Sequence, residues 1–363
     1  MRTERILIKP AHGHYRAAKR TCRLASAVYN QALYYMRQSF FNSELLSWAD
    51  VDKILKFHHI SLYAQLPAAM SQAIIKKVGT DFKSFFSKFK EKPRIPHYSR
   101  HAKTAIQPFQ SLSILDGQIR FPVKIGMQPI DVHCCDNQSI LAKNATVKEL
   151  RVVPHGNCYW LEVVYDEVKS IKPGTKSILL NKSQVISIDI GINNLLSIIS
   201  NKPDFTPVLV NGKIIKSLNQ HYNKNAAVLR AKGHYKHLNA LSVKRFCQIN
   251  DYFHKVSYAV IQLCLTHDIG KIVIGKNTNW KQGVNIGKVN NQKFVSVPHN
   301  SVIEKIRYKA GAYGIEVIDQ EEAHTSKSDA LSLDPLPKYE KGKKHTFQAN
   351  VNVEDFTSLR QVA

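Results

Sequence analysis

Apolar residues recur at helical spacing through the first hundred positions of the chain. In "YNQALYYMRQSFF" the apolar residues that share one side of a helix are Tyr29, Leu33, Met36 and Phe40. "MSQAIIKKVGTDFKSFFSKFK" repeats this pattern and carries its lysines on the opposite side. Two prolines, Pro93 and Pro96, then forbid helix. We therefore predict a mostly helical, basic region over residues 1–105, interleaved with the domain that follows.

Residues 106–170 show short alternating runs that are interrupted by Gly, Pro and Asn. Examples are "LSILDGQIRFPVKIG", "ATVKELRVVPHG" and "CYWLEVVYDEV". This strand-and-turn pattern predicts a small β-barrel or sandwich, and we favour a barrel that forms a wedge-like domain. Residues 171–184 include Pro173 and Gly174, and their composition is typical of a linker.

From residue 185 the predicted order is three strands, a long helix, a strand, a helix and a last strand. "VISIDIG" and "NLLSIIS" form a hairpin, to which "TPVLVNGKII" adds the third strand. A helix over about residues 219–266, interrupted near Gly233, has a buried stripe of Phe246, Ile249, Phe253, Val256, Val260 and Cys264. "KIVIG" is apolar throughout, as parallel strands covered on both faces are, and "IEVIDQ" is the last strand. This order is that of an RNase H-like fold over residues 185–340, followed by a truncated, flexible tail over 341–363. The whole chain is thus predicted to be a multidomain α+β protein.

Composition adds a strong preference for polyanions. The formal net charge is +25 over 363 residues, and the pI is about 9.7. A field of this sign favours nucleic acid first and an anionic membrane second. Neither a run of about 18 apolar residues nor an apolar segment after the charged start occurs, which argues against a spanning helix and a secretory signal. The six cysteines lack a C-x-x-C pair and fit reduced thiols. We expect a cytoplasmic protein associated with the bacterial nucleoid.

A single carboxylate, Asp189, interrupts the first strand of the RNase H-like region. That fold carries its first acidic residue at this place, and nucleases built on it hold two divalent cations with three or four converging carboxylates. At the end of "KIVIG", however, stand Gly275 and Lys276, neither of which is a metal ligand. Glu321 and Glu322 follow the last strand. The alternative is that Asp189 accepts backbone hydrogen bonds ahead of Gly191.

Several motifs, in order, resemble the TnpB proteins, which are the OrfB products of small insertion sequences. These motifs are "VYNQALYYMRQ", "SIDIGINNLLSI", "SLNQHYNK", "IVIGKNTNWKQGVNIGKVNNQKFVSVP" and "YKAGAYGIEVIDQEEAHTSKS". TnpB proteins are RNA-guided DNA nucleases related to the type V CRISPR effectors. The resemblance covers about residues 1–340 and is most specific over 185–327. It implies a guide RNA as cofactor, a double-stranded DNA target, recognition of a short flanking motif, and a RuvC-type site that includes Asp189 and Glu322.

The chain departs from this family toward its end. Where many members carry zinc-binding cysteines, the residues are Ser328, Asp329 and Ala330. "ANVN" stands in for the "ADVNGA" motif of the family, so Asn350 takes the place nearest to the last catalytic Asp. The resemblance therefore implies that Asp189, Glu322 and Asn350 are the remains of an inactive site. We expect no enzyme activity, no metal requirement, and an RNA-guided DNA-binding protein that represses transcription by occupying a promoter.

Three alternatives stay open. The first is an active metal-dependent nuclease whose third acid is Asp334, Glu354 or Asp355. The second is a decayed product without function, although the intact strand patterning argues against decay. The third is a structural or membrane-surface protein.

Basic and aromatic residues outside the RuvC-type motif are candidates for contact with nucleic acid. Candidates for the DNA flank, on the helix near residues 72–90, are Gln72, Lys76, Lys77 and Lys83. Candidates for general RNA or DNA contact are Arg94, Tyr98, Arg100, Lys103, Trp280, Lys281, Lys288 and Lys293. Basic residues with interleaved aromatics suit single-stranded or A-form nucleic acid. For each segment the alternative is an ordinary solvated basic surface.

Overall fold

A computed structural model describes residues 2–88, 91, 93–108, 113–115, 118–131, 146–166, 180–276, 287 and 295–321. The chain divides into two compact units. The first comprises residues 1–173 and 233–243, and the second comprises 174–232 and 244–363. Each unit has its own apolar core, and each is described by itself.

Four helices of the first unit follow its first strand: α1 (Tyr15–Phe41), α2 (Trp48–His58), α3 (Ile60–Tyr63) and α4 (Ala68–Ser87). The predicted stripe of α1 is confirmed, because Tyr29, Leu33 and Met36 are buried and Phe40 packs against the same core. Helix α2 begins with a capping box, in which Ser47 and Asp50 each bond the backbone N–H of the other.

The described strands of the first unit form a four-stranded antiparallel sheet and a separate hairpin. The sheet consists of β1 (Arg2–Ile8), β2 (Ala105–Pro108), β5 (Thr146–His155) and β6 (Cys158–Asp166), in the order β1-β6-β5-β2. The hairpin joins β3 (Ser113–Leu115) to β4 (Gln118–Arg120). The helical pattern did not predict β1, because this strand is defined by pairing with residues far along the chain. Among the described strands no pairing closes the sheet, so the barrel stays a prediction.

The second unit contains a mixed five-stranded sheet. Its strands are β7 (Asn181–Asp189), β8 (Asn194–Ser200), β9 (Val208–Asn211), β10 (Ile269–Gly275) and β11 (Glu316–Gln320). Their order is β11-β10-β7-β8-β9. Strands β7, β8 and β9 pair antiparallel, whereas β10 runs parallel to both β7 and β11. The sequence pattern predicted this strand order.

Three further helices are α5 (Lys213–Ala231), α6 (Tyr235–Thr266) and α7 (His299–Ala312); residues 235–243 of α6 are grouped with the first unit. The predicted break near Gly233 is confirmed, since this glycine separates α5 from α6 with a φ of +66°. The predicted stripe of α6 is buried from Ile249 onward. Phe246 is an error in that prediction, because it is 37% exposed. Spacing gives the direction of a side chain, but the core beneath this stripe begins only at Ile249. No described helix is long and apolar enough to cross a membrane.

Two phenylalanines of α6 test where this core begins. Phe253 is fully buried, whereas Phe246 is partly exposed. We expect Phe253→Ala to lower the free energy of unfolding by about 3–5 kcal/mol, because it leaves a cavity. Phe246→Ala should cost only about 1 kcal/mol. Urea denaturation followed by circular dichroism measures both, and equal losses would show that the core extends over Phe246.

Candidate functional site

Three parallel strands end at one edge of the second sheet. Strand β7 ends at Asp189, β10 at Gly275 and β11 at Gln320. The register pairs Ile188 with Ile274, and Gly275 with Gln320. Asp189 therefore lies beside the carboxyl end of β10, at the edge where ligands of open α/β sheets bind.

Alternation along β7 places Asp189 on the outer face of the sheet. Ile186 and Ile188 point into the core, whereas Ser187 and Asp189 point away from it and are exposed. Among the described residues, none donates a hydrogen bond or an ion pair to the Asp189 carboxylate. The structure therefore does not support the alternative in which this side chain accepts backbone hydrogen bonds in the turn. Because the carboxylate is in water, it needs no buried partner.

The turn that follows Asp189 is held by three contacts from two other parts of the chain, the start of α5 and the start of α7. The fully buried ring of His299 places Nε2 3.2 Å from the carbonyl oxygen of Gly191. The backbone N–H of Gly212 donates to the carbonyl oxygen of Asn193 at 2.8 Å. Lys216 Nζ donates to Asn193 Oδ1 at 2.6 Å. A Cβ on Gly212 would overlap the carbonyl oxygen of Ile192, so this close approach requires glycine.

A partly buried polar network, which sequence reasoning missed, holds the chain just before α7. Arg245 Nε donates to Asn219 Oδ1 at 2.7 Å, and Arg245 Nη2 donates to the carbonyl oxygen of Ser296 at 2.9 Å. The guanidinium also lies 5.0 Å from the ring centroid of Tyr222. Burial lowers the pKa of Arg245 from its ordinary value, and Tyr222 acts in the opposite direction. In sequence, Arg245 resembles any surface base, so only its contacts reveal this role.

The carboxylate nearest to the end of β10 does not converge with Asp189. Asp319 pairs in register with Ile274, which places its side chain on the core side of the sheet rather than on the outer face. There Arg307 Nη2 donates to Asp319 Oδ1 at 2.7 Å, and Lys276 Nζ lies 3.9 Å from Oδ2. Glu321 is exposed beyond β11. Within the described ranges, no group of three or more His, Cys, Asp or Glu could hold a metal ion.

Six candidate residues lie outside the described residues, and their roles stay predictions. They are Glu322, Asn350, Trp280, Lys281, Lys288 and Lys293.

The candidate residues of α4 differ in their surroundings. Lys76 Nζ lies 5.7 Å from a ring centroid of Trp48, and Lys83 is exposed. Lys77 pairs with Asp81 at 2.8 Å, so part of its charge is compensated. Gln72 is half-buried. Lys76 and Lys83 therefore have the ammonium groups with the most freedom to contact a phosphate.

Residues 93–103, here called the tethered segment, run in reverse along one side of α1. Arg37 Nη1 donates to the carbonyl oxygen of Pro96 at 2.8 Å. Asn30 makes two hydrogen bonds of 2.8 Å with the backbone of Ser99. Ser26 Oγ donates to the carbonyl oxygen of His101 at 2.9 Å. The backbone is thus fixed, while the side chains of Arg94 and Arg100 remain exposed.

Two candidates of the tethered segment pack against the helical core. The guanidinium of Arg37 stacks 5.3 Å from the ring centroid of Tyr98, whose ring remains 46% exposed. Lys103 Nζ lies 3.5 Å from the ring centroid of Tyr29. Burial lowers the pKa of Lys103, with Asp81 opposing and Lys77 adding to that shift. Lys103 therefore has less access to a phosphate than Arg94 or Arg100.

Comparison with known proteins identifies the region that contains this site. Residues 169–281 match the family OrfB_IS605, described as "Probable transposase". This stretch of the chain is thus similar to OrfB_IS605 proteins. The predicted resemblance to the TnpB/OrfB family is thereby confirmed. The matched stretch includes Asp189, the turn after it and the basic helix α5. No curated protein matches the chain.

Two solved structures are similar to this chain. The cryo-EM structure of a Cas12f1–sgRNA–target DNA complex is 13% identical, with a TM-score of 0.55, over 95% of this chain and 78% of that chain. A CRISPR–Cas12f ternary complex, also solved by cryo-EM, is 14% identical, with a TM-score of 0.37, over 94% of this chain and 76% of that chain. The first likeness supports the mixed α+β fold.

Our expectation that the chain is not an enzyme is wrong. The matching family is one of transposases, which are enzymes, and no observation shows that activity is lost. The error came from treating a missing linear motif as a missing carboxylate. Carboxylates that hold a metal converge from distant parts of a chain, so their absence from one stretch does not remove them from a site.

One glycine pair tests how tightly the turn after Asp189 is held. Gly212→Ala should lower the free energy of unfolding by roughly 3 kcal/mol, because the new methyl group overlaps a carbonyl oxygen. Gly311→Ala in α7 meets nothing within 4 Å and should be neutral or stabilise by up to about 1 kcal/mol. Thermal unfolding of both variants measures the difference. A Gly212→Ala protein as stable as the parent would contradict the close approach.

The tethered segment can be tested by limited proteolysis. Asn30→Ala removes two hydrogen bonds to Ser99, each contributing about 1 kcal/mol. We expect trypsin to cleave after Arg100 roughly tenfold faster, because cleavage follows local opening. Gln38→Ala, at an exposed position of α1, is the matched control. Unchanged cleavage after Arg100 in the Asn30 variant would mean that other contacts hold the segment.

Proposed function

We propose that this protein binds a guide RNA, uses it to recognise double-stranded DNA, and cuts that DNA at the sheet edge that carries Asp189. The observation that carries the proposal is the exposed carboxylate of Asp189 at the carboxyl edge of β7, which has no partner among the described residues and lies within the stretch that matches OrfB_IS605. The fold similarity to a Cas12f1–sgRNA–target DNA complex supports the two nucleic-acid partners.

The charge of the chain supports the same partners. A net charge of +25 attracts the phosphates of a guide and its target. In the first unit, Lys76 and Lys83 of α4, and Arg94 and Arg100 of the tethered segment, present cations to solvent. Since these contacts are to phosphate, they hold the nucleic acid while base pairing with the guide reads the sequence.

Asp189 fits one oxygen ligand of a divalent cation, because its carboxylate is exposed and no described residue pairs with it. Such a cation would polarise a phosphodiester bond and stabilise the charge that develops on it. We propose Glu322 as a second ligand, with a further acid from Asp334, Glu354 or Asp355. The buried contacts of His299 and Gly212 orient the turn after Asp189, which holds the carboxylate at a defined place on the sheet edge.

Repression of transcription is a second candidate function. Strand β7 contributes one acid, Asp189, to the outer face of the sheet. The end of β10 contributes none, because Gly275 and Lys276 stand there. A protein that holds its target for longer than it takes to cut would also block a promoter there. This function requires occupancy, and it does not require loss of the nuclease.

Purification of the protein with RNA from its native locus tests the guide. We expect a discrete RNA with a constant part and a short variable end, and that end specifies the DNA target. With Mg²⁺ the complex should cut this target, and EDTA should stop it. Recovery of random host RNA in place of one discrete RNA would overturn the proposal that the protein binds a guide RNA.

Asp189→Asn then tests the cutting site. Loss of a metal ligand should slow cleavage at least about 100-fold, since partners outside the first coordination shell alone change activity by as much as that. RNA content and DNA affinity should stay the same, because the side chain is exposed. Asp204→Asn, at another exposed carboxylate of the second unit, is the control. Normal cleavage by the Asp189 variant would place the chemistry elsewhere.

A further inference from the structure

A long stretch of the second half of the chain has no acidic residue. Between Asp204 and Asp251 the sequence contains neither Asp nor Glu. The Lys and Arg residues of this stretch are Lys213, Lys216, Lys224, Arg230, Lys232, Lys236, Lys244 and Arg245. One of them, Arg245, is used inside the protein. The others have no such role among the contacts already described, apart from the bond of Lys216 to Asn193.

Three of these lysines form a row on one face of α5. Lys213, Lys216 and Lys224 are spaced so that they share the side that also carries Gln220. The opposite side is buried and consists of Ile215, Asn219 and Ala226. The row extends over about 16 Å, at 1.5 Å per residue. It is called the α5 lysine row below.

Some surface lysines of other helices pair with an acid one turn away. Examples are Lys53 with Asp50, Lys77 with Asp81, and Lys255 with Asp251. In α5, all of which is described, no lysine has an acidic partner. The first turn of α5 also carries Lys213 and Lys216, although the helix dipole disfavours cations there. Ion pairs within the helix therefore do not account for the row.

The row begins beside the turn that follows Asp189. Lys216 Nζ donates to Asn193 Oδ1 at 2.6 Å, and this amide oxygen leaves the positive charge uncompensated. Asn193 lies in the connection between β7 and β8, four residues after Asp189. A polyanion bound along the row therefore passes close to the candidate cutting edge.

We propose that the α5 lysine row binds the sugar–phosphate backbone of the DNA duplex that the complex cuts. Lysines act as point charges toward phosphates, and the row has no aromatic side chain for stacking unpaired bases. Tyr222, the one Tyr, Phe or Trp of α5, packs against Arg245. The row thus fits a backbone whose bases are paired. This proposal rests on the proposed function, and it adds a contact surface within the second unit.

The test compares two triple variants of the complex that carries its RNA. One is Lys213→Gln with Lys216→Gln and Lys224→Gln. The matched control removes the same charge from lysines that are exposed and already paired with acids, as Lys53→Gln with Lys148→Gln and Lys255→Gln. DNA affinity is measured from about 50 to 200 mM salt, and the RNA content of each preparation is quantified. Thermal unfolding checks that all proteins are folded.

We expect the row variant to bind target DNA at least about tenfold more weakly at 150 mM salt, with a salt slope smaller by roughly 2 to 3 because three phosphate contacts are lost. Its RNA content should equal that of the parent, and the control triple should bind DNA almost normally. If both triple variants bind DNA equally weakly, the row contributes only to the total positive charge of the protein, and the proposal is overturned. A loss of RNA would show that the row binds the guide instead.

Different outcomes of this experiment would contradict the proposed function and the proposed role of the α5 lysine row. If the parent protein binds no DNA, the proposed function falls and the row falls with it. If the parent binds DNA and the row variant binds it with the same affinity and salt slope, only the row is wrong.

Discussion

The parallel pairing of β10 with β7 on one side and β11 on the other is the constraint on which the second unit depends. Parallel strands end at a common edge, so this pairing alone brings Asp189 next to the end of β10. It requires a close approach at Gly270, where a Cβ would lie 2.9 Å from the backbone of Asn181. The register between β10 and β7 shifts at the same point, between Ile269 and Lys271. The fully buried Phe253 and Cys264 of α6 then cover the inner face.

The edge itself is held by polar groups from outside the sheet. His299, Gly212 and Lys216 each contact the turn after β7, and Arg245 holds the chain that leads into α7. His299 and Gly212 are buried, so their contacts favour one arrangement of the turn more strongly than the solvent-exposed bond of Lys216 does. The Asp189 carboxylate gains a defined position while having no bond of its own within the described residues. That combination suits a metal ligand, which has to be oriented before the ion binds.

Whether a lysine or arginine has an acidic partner distinguishes the cations used within the fold from those that can contact a nucleic acid. Lys53, Lys77 and Lys255 have acids one turn away, and their charge is largely used within their helices. Arg94 and Arg100 stand on a backbone that α1 already holds, so binding of a phosphate does not have to order the backbone of this segment. The α5 lysine row likewise stands on a regular helix. Fixed cations of this kind bind a polyanion with a smaller loss of conformational entropy than cations on a mobile loop.

Periodicity and turn residues by themselves indicated α1, α4, the break at Gly233 and the order of strands and helices along the second unit, but they did not indicate β1. They also identified Asp189, because a carboxylate among β-branched residues stands out in any strand. The tertiary structure alone decided that Asp189 and Asp319 lie on opposite faces, since alternation becomes meaningful only when the register of β10 and β11 is known. It also decided that Phe246 is partly exposed, that Lys103 packs on Tyr29, and that Arg245 is internal. Sequence spacing gives the direction in which a side chain points, but the groups that it meets come from distant parts of the chain, and only folding brings them together.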